Sequence, residues 1–351
     1  MPQSKLSPPV ALGLCAPQDI LVAIPALNEA AHLEQCLDSL IGNDNFMRDV
    51  RVVVADGGSQ DGTAALAARL RQRYPALRLI DNPGKLQSAA INTAVASMAS
   101  PGHRFLVRCD AHSIYPKGYV RAVTESLATR PDAAALATPM DATGTGCFQR
   151  AAAWIVDTPL GSGGSAHRGG RKSGWVDHGH HAGFRLDWFR QVGGYDESFS
   201  HNEDAELDHR LGLAGGRVWL DAQIRLTYSM RTTPGALCRQ YWNYGRGRGR
   251  TILKHRMRLR LRQMIPVANL LGLLATLMLS PLFPAAALWP AAYATALACA
   301  AAVCALKLRS PCGLWAGPAL AIIHNSWGAG FLVQLLSSVT ARNRTTEQEQ
   351  A

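Results

Sequence analysis

The chain has 351 residues, of which 48% are hydrophobic and 17% charged, and its formal net charge is +11. That length suits one large domain or two smaller ones. Residues 222–346 contain no Asp or Glu, whereas residues 225–262 contain eleven Lys or Arg. Such a basic block indicates nucleic acid, phosphate or an anionic membrane as partner. Residues 264–339, which follow the basic block, are mostly apolar, and they favour a membrane rather than nucleic acid as the partner.

The N-terminal residues and the cysteines indicate a cytoplasmic first domain. Residues 1–18 lack a basic segment followed by a sustained apolar run, so we expect no secretory signal. The eight cysteines form no C-x-x-C pair, and we expect reduced thiols rather than a disulfide framework.

In chain order, the first part of the sequence alternates short apolar runs with helical patterns. Each apolar run has the length of a buried strand, and repeated strand–turn–helix units are typical of an α/β fold. The predicted strands are residues 20–25, 51–56, 77–80 and 105–110. The predicted helices that alternate with them are residues 33–40, 64–73 and 86–98.

Polar residues follow three of these strands. Asn28 and Glu29 follow the first strand, Asp56 ends the second, and Asp110 and His112 lie at the end of the fourth. Because ligands of open α/β sheets bind outside the carboxyl ends of the strands, we expect these side chains to meet at one site. The glycines after Asp56 allow the backbone to approach a ligand closely. The dinucleotide fingerprint G-x-G-x-x-G is absent.

A second group of polar residues occupies residues 193–210. Gly193 and Gly194 predict a turn, and Asn202 followed by acidic residues predicts the N-cap and first turn of a helix. Asp204 would lie in that first turn, where a carboxylate can accept a proton from a hydroxyl. In isolation such residues are more often a helix cap with surface acids, so the functional interpretation depends on the other motifs.

The motifs together resemble those of family 2 glycosyltransferases with the GT-A fold. The matching motifs are Pro25-x-x-Asn28-Glu29, Asp56-Gly57-Gly58-Ser59-x-Asp61-Gly62-Thr63, Asp110-x-His112 and Asn202-Glu203-Asp204-x-Glu206. Residues 107–112 and 240–246 are most similar to succinoglycan-type exopolysaccharide glucosyltransferases, which are membrane-attached bacterial enzymes that extend a lipid-linked sugar. The resemblance covers residues 18–250 and implies an α/β domain with a Rossmann-like mixed sheet, followed by C-terminal membrane helices.

The resemblance also implies roles for individual residues. Asp204 would be the catalytic base, and Asp110 with His112 would bind Mn²⁺ or Mg²⁺ to neutralise the leaving diphosphate. His112 departs from the commoner second Asp. The residues implied to bind the nucleotide sugar are Pro25, Asn28, Glu29, Asp56, Gly58, Lys85 and Asp110. Those implied to contact the acceptor or a phosphate are Glu203, His181, Gln240, Tyr244, Arg246 and Arg248.

A Gly- and His-rich segment lies between Asp110 and Asp204. Its histidines at positions 178, 180 and 181 allow a zinc site, although no further ligand pair has suitable spacing. We expect instead that the segment shapes the acceptor pocket. Trp175 or Trp188 would then stack on a sugar or pack under the catalytic loop.

The basic block begins with a helix predicted over residues 237–255. Gln240-x-x-Asn243-Tyr244 stands where processive members of the family carry Gln-x-x-Arg-Trp, so a processive acceptor channel is not expected. Arg246, Arg248 and Arg250 alternate and cannot share one helix face. Two interpretations of these arginines remain open. They contact a diphosphate or lipid headgroups, or they form a solvated charged face beside the membrane.

Three apolar segments follow, at residues 264–280, 284–306 and 315–339. The second and third are long enough to span a bilayer of roughly 30 Å, and the first is marginal. The basic block and Lys307 favour a hairpin of the first two segments with cytoplasmic ends. The third either spans the membrane or is re-entrant or interfacial, since it contains His324 and Asn325.

The predicted organisation is a tail (1–18), a catalytic domain (19–235), an interfacial segment (236–263), a membrane region (264–340) and a polar tail (341–351).

The sequence therefore predicts an inverting hexosyltransferase in the inner membrane, with its catalytic domain in the cytoplasm. It would transfer one sugar, implied by the resemblance to be glucose, from a UDP-sugar to a polyprenyl-diphosphate-linked saccharide in exopolysaccharide biosynthesis. Membrane lipids are expected partners, nucleic acid is not, and the oligomeric state stays open. Two alternatives remain: a processive polysaccharide synthase and a non-catalytic membrane-bound nucleotide-sugar-binding protein, which would not need Asp204.

Overall fold

The computed structural model describes residues 15–42 and 44–349, and side chains as far as Ser337. The chain forms two compact units made of interleaved segments. The first unit contains the chain up to Thr138, together with Ser173–Tyr195 and Asp208–Ile224. The second contains Pro139–Lys172, Asp196–Leu207 and the chain from Arg225 onward.

Strands and helices alternate through the first two thirds of the chain, and long helices follow. The strands are Ile20–Ala26 (β1), Arg51–Asp56 (β2), Leu77–Asp81 (β3), Phe105–Arg108 (β4), Ala133–Ala137 (β5), Met140–Thr143 (β6), Gly174–Val176 (β7), His181–Arg185 (β8), Arg217–Leu220 (β9) and Leu226–Ser229 (β10). The helices are Leu33–Ile41 (α1), Thr63–Arg73 (α2), Gln87–Met98 (α3), Tyr119–Ala128 (α4), Cys147–Val156 (α5), Pro159–Ser162 (α6), Leu186–Gln191 (α7), Glu203–Leu213 (α8), Pro234–His255 (α9), Leu261–Leu279 (α10), Leu288–Leu308 (α11) and Ala316–Glu349 (α12).

The first unit is built on a mixed eight-stranded sheet in the order β3-β2-β1-β4-β8-β5-β9-β7. Strands β3, β2, β1 and β4 are parallel to one another, and β8 pairs antiparallel with β4 and β5. The interior strands are apolar on both sides, as in β2, where Val52, Val53 and Val54 are all fully buried. Burial on both faces is what parallel strands with covering helices require.

The four strands predicted from the sequence are all present, and the fourth is shorter than predicted. It ends at Arg108 rather than Asp110. The chain leaves the sheet there because the backbone amide of Asp110 donates to the hydroxyl of Tyr115 at 2.6 Å instead of to a neighbouring strand. Asp110 and His112 consequently lie in a loop at the carboxyl end of β4.

The second unit contains the parallel pair β6–β10 and the long C-terminal helices. Helices α9 and α12 cross so closely that glycine is required at the crossing. A Cβ atom on Gly245 would overlap the carbonyl oxygen of Trp327, and one on Gly330 would overlap that of Trp242. Small residues of this kind allow two helix backbones to approach each other.

Three helical segments are long and apolar enough to cross a membrane, judged by length and composition: Leu261–Leu279, Pro284–Leu308 and Pro311–Ser337. The third is the most buried of them within the protein, because it packs along α9. Its side chains Ala319, Leu320 and Ile323 join a core with α5 and α11.

One expectation about the cysteines is wrong. Cys147, the first residue of α5, and Cys312 form a disulfide across 165 residues of sequence. The two residues meet because α5 packs on the turn Pro311–Trp315, where the rings of Phe148 and Trp315 lie edge to face at 5.7 Å. Sequence spacing carries no signal for such a pair.

We expect the glycine crossing of α9 and α12 to be essential for the stability of the second unit. Gly245→Val should lower the free energy of unfolding by about 1–3 kcal/mol, the usual cost of overpacking. Gly235→Ala, in the same helix but with open space around its Cβ position, should have little effect. Denaturation midpoints of the detergent-purified protein test this, and equal midpoints for both variants would contradict it.

Candidate active site

The loops after β1 and β2 are joined by hydrogen bonds through Asn28. Its backbone amide donates to the Ser59 hydroxyl at 2.8 Å, and its side-chain oxygen accepts from the Gln60 amide at 2.9 Å. Asn28 has a φ of 56°, a left-handed conformation that Asn tolerates better than most residues. Asn28 thus fixes the shape of the carboxyl edge of the sheet.

The carboxylate of Asp56 is bound by its own loop. It accepts hydrogen bonds from the amides of Gly58 and Ser59, both at 3.0 Å, and from the Ser59 hydroxyl at 2.6 Å. Asp56 is buried, whereas Gly58 has a φ of 81° and no atom near its Cβ position. Asp56 therefore holds a loop whose backbone at Gly58 faces open space.

Two other predicted residues border these loops. Pro25 is half-buried near the end of β1, and Lys85 is exposed in the turn before α3. Lys85 has a φ of 57°, so this turn also adopts a left-handed conformation.

Asp110 is surrounded by donors that the sequence motifs did not indicate. Gln87, at the start of α3, donates to one carboxylate oxygen at 2.8 Å. The Nε atom of Arg108 lies 3.7 Å from the same oxygen, and Nε2 of His180 lies 3.8 Å from the other. The hydrogen bond from Gln87 orients the carboxylate, and the side chains of Arg108 and His180 lie close to it.

Glu29 contacts the second residue of the Asp110-x-His112 motif. Its carboxylate oxygen lies 3.0 Å from Nδ1 of His112, whose ring is half-exposed. A carboxylate on one ring nitrogen is the usual support for an imidazole that binds a metal through the other. No cluster of three or more His, Cys, Asp or Glu side chains suited to a metal occurs in the described residues. Asp110 and His112 would thus need substrate oxygens or water to complete a coordination shell.

Behind Asp110, a buried chain of hydrogen bonds extends to α8. Arg108 donates to the Tyr195 hydroxyl at 3.0 Å, and that hydroxyl lies 3.0 Å from Nδ1 of His181. Nε2 of His181 is 2.6 Å from Asp208, whose other oxygen is 2.8 Å from Nδ1 of His178. Burial by itself raises the pKa of Asp208, but the charges and hydrogen bonds of His181 and His178 bring it below its ordinary value.

The three neighbouring histidines therefore point to different partners and do not form a metal site. His178 and His181 bind Asp208, whereas His180 faces Asp110. The His181 side chain is fully buried, so the expectation that it contacts the acceptor does not fit this geometry. His181 instead supports the structure beneath the site.

The two tryptophans for which stacking on a sugar and packing were both expected alternatives have protein contacts. The guanidinium of Arg217 lies 3.7 Å from the ring centroid of Trp175, whose edge meets Trp219 at 5.1 Å. Trp188 is half-buried beside Gly216. Both rings thus pack on protein groups, and 39% of Trp175 remains exposed.

In the second unit, the acidic segment before and within α8 is held by α9. The buried carboxylate of Glu206 accepts from Nζ of Lys254 at 2.7 Å and lies 2.9 Å from Nε2 of His255. Lys254 also binds Asp196. Burial raises the pKa of Asp196, but hydrogen bonds from Lys254 and Ser198 lower it to about 2. This segment is therefore fixed by charge as well as by packing.

The turn that precedes Asp204 packs directly on α9. A Cβ atom on Gly247 would lie 2.6 Å from the carbonyl oxygen of His201. The side-chain amide of Asn202 donates to the Thr251 hydroxyl at 2.8 Å, and Asn202 has a φ of 66°. Helix α8 begins at the next residue, as predicted. Asp204 thus lies in a first turn whose entry is anchored to α9, and Asn202 serves as that anchor.

The remaining predicted acceptor residues divide into buried and exposed ones. Gln240 donates to the hydroxyls of Tyr228 at 2.6 Å and Tyr244 at 2.9 Å, within the core of the unit. Arg246 is exposed and Arg248 is half-buried. The two arginines lie on different faces of α9, as the sequence spacing predicted.

Comparison with known proteins identifies the family. The sequence matches Glycosyl transferase family 2 over residues 21–193. It is 43% identical over 322 residues to the succinoglycan biosynthesis protein ExoA of Rhizobium meliloti (strain 1021), covering 90% of this chain and 94% of that protein. The chain belongs to glycosyltransferase family 2. It is a glycosyltransferase of the exopolysaccharide type that ExoA represents.

Two other similarities are weaker. Glycosyltransferase AglE of Haloferax volcanii is 34% identical over 77 residues, covering 22% of this chain and 25% of that protein. The mannosyltransferase PcManGT of Pyrobaculum calidifontis, solved with GDP-Man and Mn²⁺, has a TM-score of 0.57 and 20% identity. That likeness covers 91% of this chain and 87% of PcManGT, and it shows that the mixed sheet has the GT-A fold, as predicted.

We expect the charge on Asp208 to stabilise this glycosyltransferase. Asp208→Asn should lower the free energy of unfolding by about 3 kcal/mol at pH 7, because it breaks a buried charged pair. The pKa of Asp208 in the folded protein is lower than its ordinary value. The stabilisation by its charge is therefore complete above the unfolded-state pKa of about 3.9, and it disappears as the pH falls through the folded-state pKa.

Urea unfolding of the detergent-purified protein between pH 7 and pH 3 measures this difference. The gap between wild type and Asp208→Asn should narrow in acid. Asp132→Asn, which changes an exposed carboxylate, is the matched control and should behave as wild type. If the difference in unfolding free energy between wild type and Asp208→Asn did not change with pH, the charge of Asp208 would not contribute to stability.

Proposed function

We propose that this protein is an inverting glycosyltransferase that adds one sugar to a polyprenyl-diphosphate-linked saccharide during exopolysaccharide assembly. The donor is a UDP-sugar, with glucose as the transferred sugar. The observation that carries the proposal is the similarity to ExoA over 94% of that protein. The site geometry is compatible with it.

The nucleotide sugar is proposed to bind at the loops after β1, β2 and β4. The open backbone at Gly58, the exposed Lys85 and the oriented carboxylate of Asp110 supply groups for a nucleoside diphosphate. Pro25, Asn28 and Asp56 act mainly by shaping these loops. PcManGT, which shares the fold, was solved with a nucleotide sugar.

Asp110 and His112 are the residues proposed to hold a divalent metal, which would neutralise the charge of the leaving diphosphate when bound. A carboxylate and an imidazole suit Mn²⁺ as well as or better than Mg²⁺. Glu29 orients the His112 ring through the 3.0 Å contact.

Asp204 is proposed to remove the proton from the acceptor hydroxyl in a single in-line displacement, which inverts the anomeric carbon. A base must be held within hydrogen-bond reach of its proton. The bonds of Asn202 to Thr251 and of Glu206 to Lys254 and His255 fix the turn on both sides of Asp204. Glu203 is buried in the same turn and is proposed to support this position.

The acceptor is proposed to be lipid-linked because three apolar helices follow the basic segment. Basic residues before the first such helix favour the cytoplasmic side of the membrane. We therefore place the enzyme in the inner membrane with its catalytic residues in the cytoplasm. The altered Gln240-x-x-Asn243-Tyr244 motif favours one addition per encounter over processive synthesis.

The test measures UDP release by the detergent-purified enzyme with a lipid-linked saccharide acceptor and a panel of UDP-sugars. Asp204→Asn retains size and hydrogen bonding but lacks basicity, so turnover should fall about 10²-fold or more, with UDP binding retained. Asp132→Asn should match wild type. An Asp204→Asn enzyme with normal turnover would contradict the base assignment, and a long water-soluble polymer would indicate a processive synthase.

The metal proposal predicts that Glu29→Gln weakens metal activation. The Mn²⁺ concentration for half-maximal activity should rise about 10–100-fold, because the carboxylate that orients the His112 ring is lost. Glu34→Gln, in a solvent-exposed ion pair, is the control and should leave the Mn²⁺ titration unchanged. Full wild-type activity in excess chelator would refute the metal requirement.

A further inference from the structure

Helix α12 contacts other helices of the second unit along most of its apolar length. Near its start, Ala319, Leu320 and Ile323 are buried in a core shared with α5. The Nε2 atom of His324 lies 3.0 Å from the backbone carbonyl oxygen of Leu160 in α6. Helices α5 and α6 are too short to cross a membrane, which takes roughly 20 residues. The first half of the third apolar segment is therefore packed on elements that cannot span a bilayer.

The next part of α12 packs against α9, which carries charged side chains. A Cβ atom on Gly245 would lie 2.1 Å from the carbonyl oxygen of Trp327, and Arg246 and Arg250 are exposed on the same stretch of α9. Because a charged side chain in hydrocarbon is costly, this stretch and the part of α12 beside it are unsuited to the interior of a bilayer. Helix α9 also anchors the turn before Asp204, so α12 and Asp204 would share one side of a membrane.

The hairpin of α10 and α11 meets α12 well before its tip. A Cβ atom on Gly328 would lie 2.9 Å from the carbonyl oxygen of Pro266, and Val267 is buried in a cluster with Phe331. From Val267 to the end of α10 at Leu279, the helix extends about 18 Å at a rise of about 1.5 Å per residue. The hydrocarbon of a bilayer is roughly 30 Å thick. The projecting part of α10 therefore reaches through little more than one leaflet.

The second arm of the hairpin meets α12 at a similar distance from the tip. A Cβ atom on Gly317 would lie 2.9 Å from the carbonyl oxygen of Leu297. Nearer the tip, the hydroxyl of Tyr293 lies 3.3 Å from Nδ1 of His324. Since α11 begins at Leu288, it projects about 14 Å beyond Leu297. Neither arm has the projecting length that a full crossing requires.

The turn between α10 and α11 is apolar, and most of its backbone donors are satisfied within the hairpin. Leu282 and Phe283 are 75% and 62% exposed, and residues 263–306 contain no charged side chain. The amides of residues 280, 282, 283 and 286 donate to backbone carbonyl oxygens, and Pro281 and Pro284 have no N–H group. Because backbone groups in hydrocarbon must be bonded internally, this turn is suited to lie among lipid chains.

We propose that the protein inserts into one leaflet of the membrane only. The α10–α11 hairpin enters the bilayer from the side of Asp204 and turns back within the hydrocarbon, and α12 lies on that same side without crossing. The exposed Arg258 and Arg262, at the entry to α10, then lie among anionic headgroups. This inference rests on the proposed function for the presence of the inner membrane and for the cytoplasm as the side of Asp204.

Labelling of single cysteines with a membrane-impermeant maleimide tests this placement in the full-length protein in its native membrane. The parent protein carries Cys238→Ser and Cys299→Ser, which remove the exposed free thiols. Three variants then each add one exposed reporter: Ser200→Cys in the turn before α8, Phe283→Cys at the hairpin tip, or Ser337→Cys at the end of the third apolar segment. Right-side-out vesicles present the outer face to the reagent, inverted vesicles present the cytoplasmic face, and SDS exposes every thiol.

The expected pattern separates the three possible placements. Ser200→Cys and Ser337→Cys should react in inverted vesicles only, whereas Phe283→Cys should react in neither preparation, because hydrocarbon excludes the reagent. All three should react fully in SDS. Reaction of Phe283→Cys as complete as that of Ser200→Cys, from either face, would overturn the proposal, because the tip would then lie in water. Reaction of Ser337→Cys from the face opposite to Ser200→Cys would also overturn it, because α12 would then cross the membrane.

A charge at the hairpin tip provides a second test. Phe283→Asp should lose most of the protein from membranes floated on a sucrose gradient after a carbonate wash, because a carboxylate would lie in hydrocarbon. The released protein should keep the helical circular dichroism of wild type. Leu213→Asp, which changes an exposed leucine of α8, is the matched control and should float as wild type does. Flotation of Phe283→Asp at the wild-type level would indicate a tip in water beyond the bilayer and contradict the proposal.

Failure of this placement and failure of the proposed function give different results. Reaction of Ser200→Cys in right-side-out vesicles only would refute the cytoplasmic active site, whatever the reporter at the hairpin tip shows. If Ser200→Cys reacted from the cytoplasmic face and Phe283→Cys from the outer face, the hairpin would cross the bilayer. Only the insertion into one leaflet would then be wrong.

Discussion

The buried carboxylate of Glu206, held between Lys254 and His255, is the interaction on which the geometry around Asp204 depends. A carboxylate without solvent is costly, and the ammonium of Lys254 at 2.7 Å and the imidazole of His255 at 2.9 Å offset that cost. Both partners lie in the last turn of α9, so the first turn of α8 can take only one position relative to that helix. Helix α9 is in turn fixed by its glycine crossing with α12. The placement of Asp204 therefore derives from helix packing next to the apolar segments.

Helix α8 carries a second buried carboxylate, Asp208, which belongs to the first unit. There the compensation comes from His181 and His178, and the chain of hydrogen bonds continues through Tyr195 to Arg108. A polar network in an apolar interior stabilises one arrangement only when its members are satisfied. The network thus supports the loop that contains Asp110, although neither His181 nor Asp208 needs to touch a substrate.

The basic residues of α9 and of the turn after it differ in their contacts. Lys254 and His255 contact the carboxylate of Glu206, and Arg250 donates to a backbone carbonyl oxygen. Arg248 has like-charged neighbours instead, and Arg258 is exposed. Basic residues that look alike in the sequence therefore differ in how far the fold compensates their charge.

The sequence by itself determined the first four strands, the helix start before Asp204, the three apolar segments and the family. These features depend on local periodicity and on motifs of a few residues, which neighbours along the chain are sufficient to define. The polar residues after β1, β2 and β4 were also predicted, because the ends of parallel strands meet at one edge of a sheet.

Only the tertiary structure decided the partners of those residues. The bond of Gln87 to Asp110, the inward orientation of His181, the contact of Glu29 with His112 and the Cys147–Cys312 disulfide join residues far apart in sequence. Each of the two units is also built from three separate segments of the chain. The sequence-based division into consecutive ranges could not predict this. Such contacts depend on how separate elements pack, and a periodic pattern specifies which face of an element is buried but not which residue it meets.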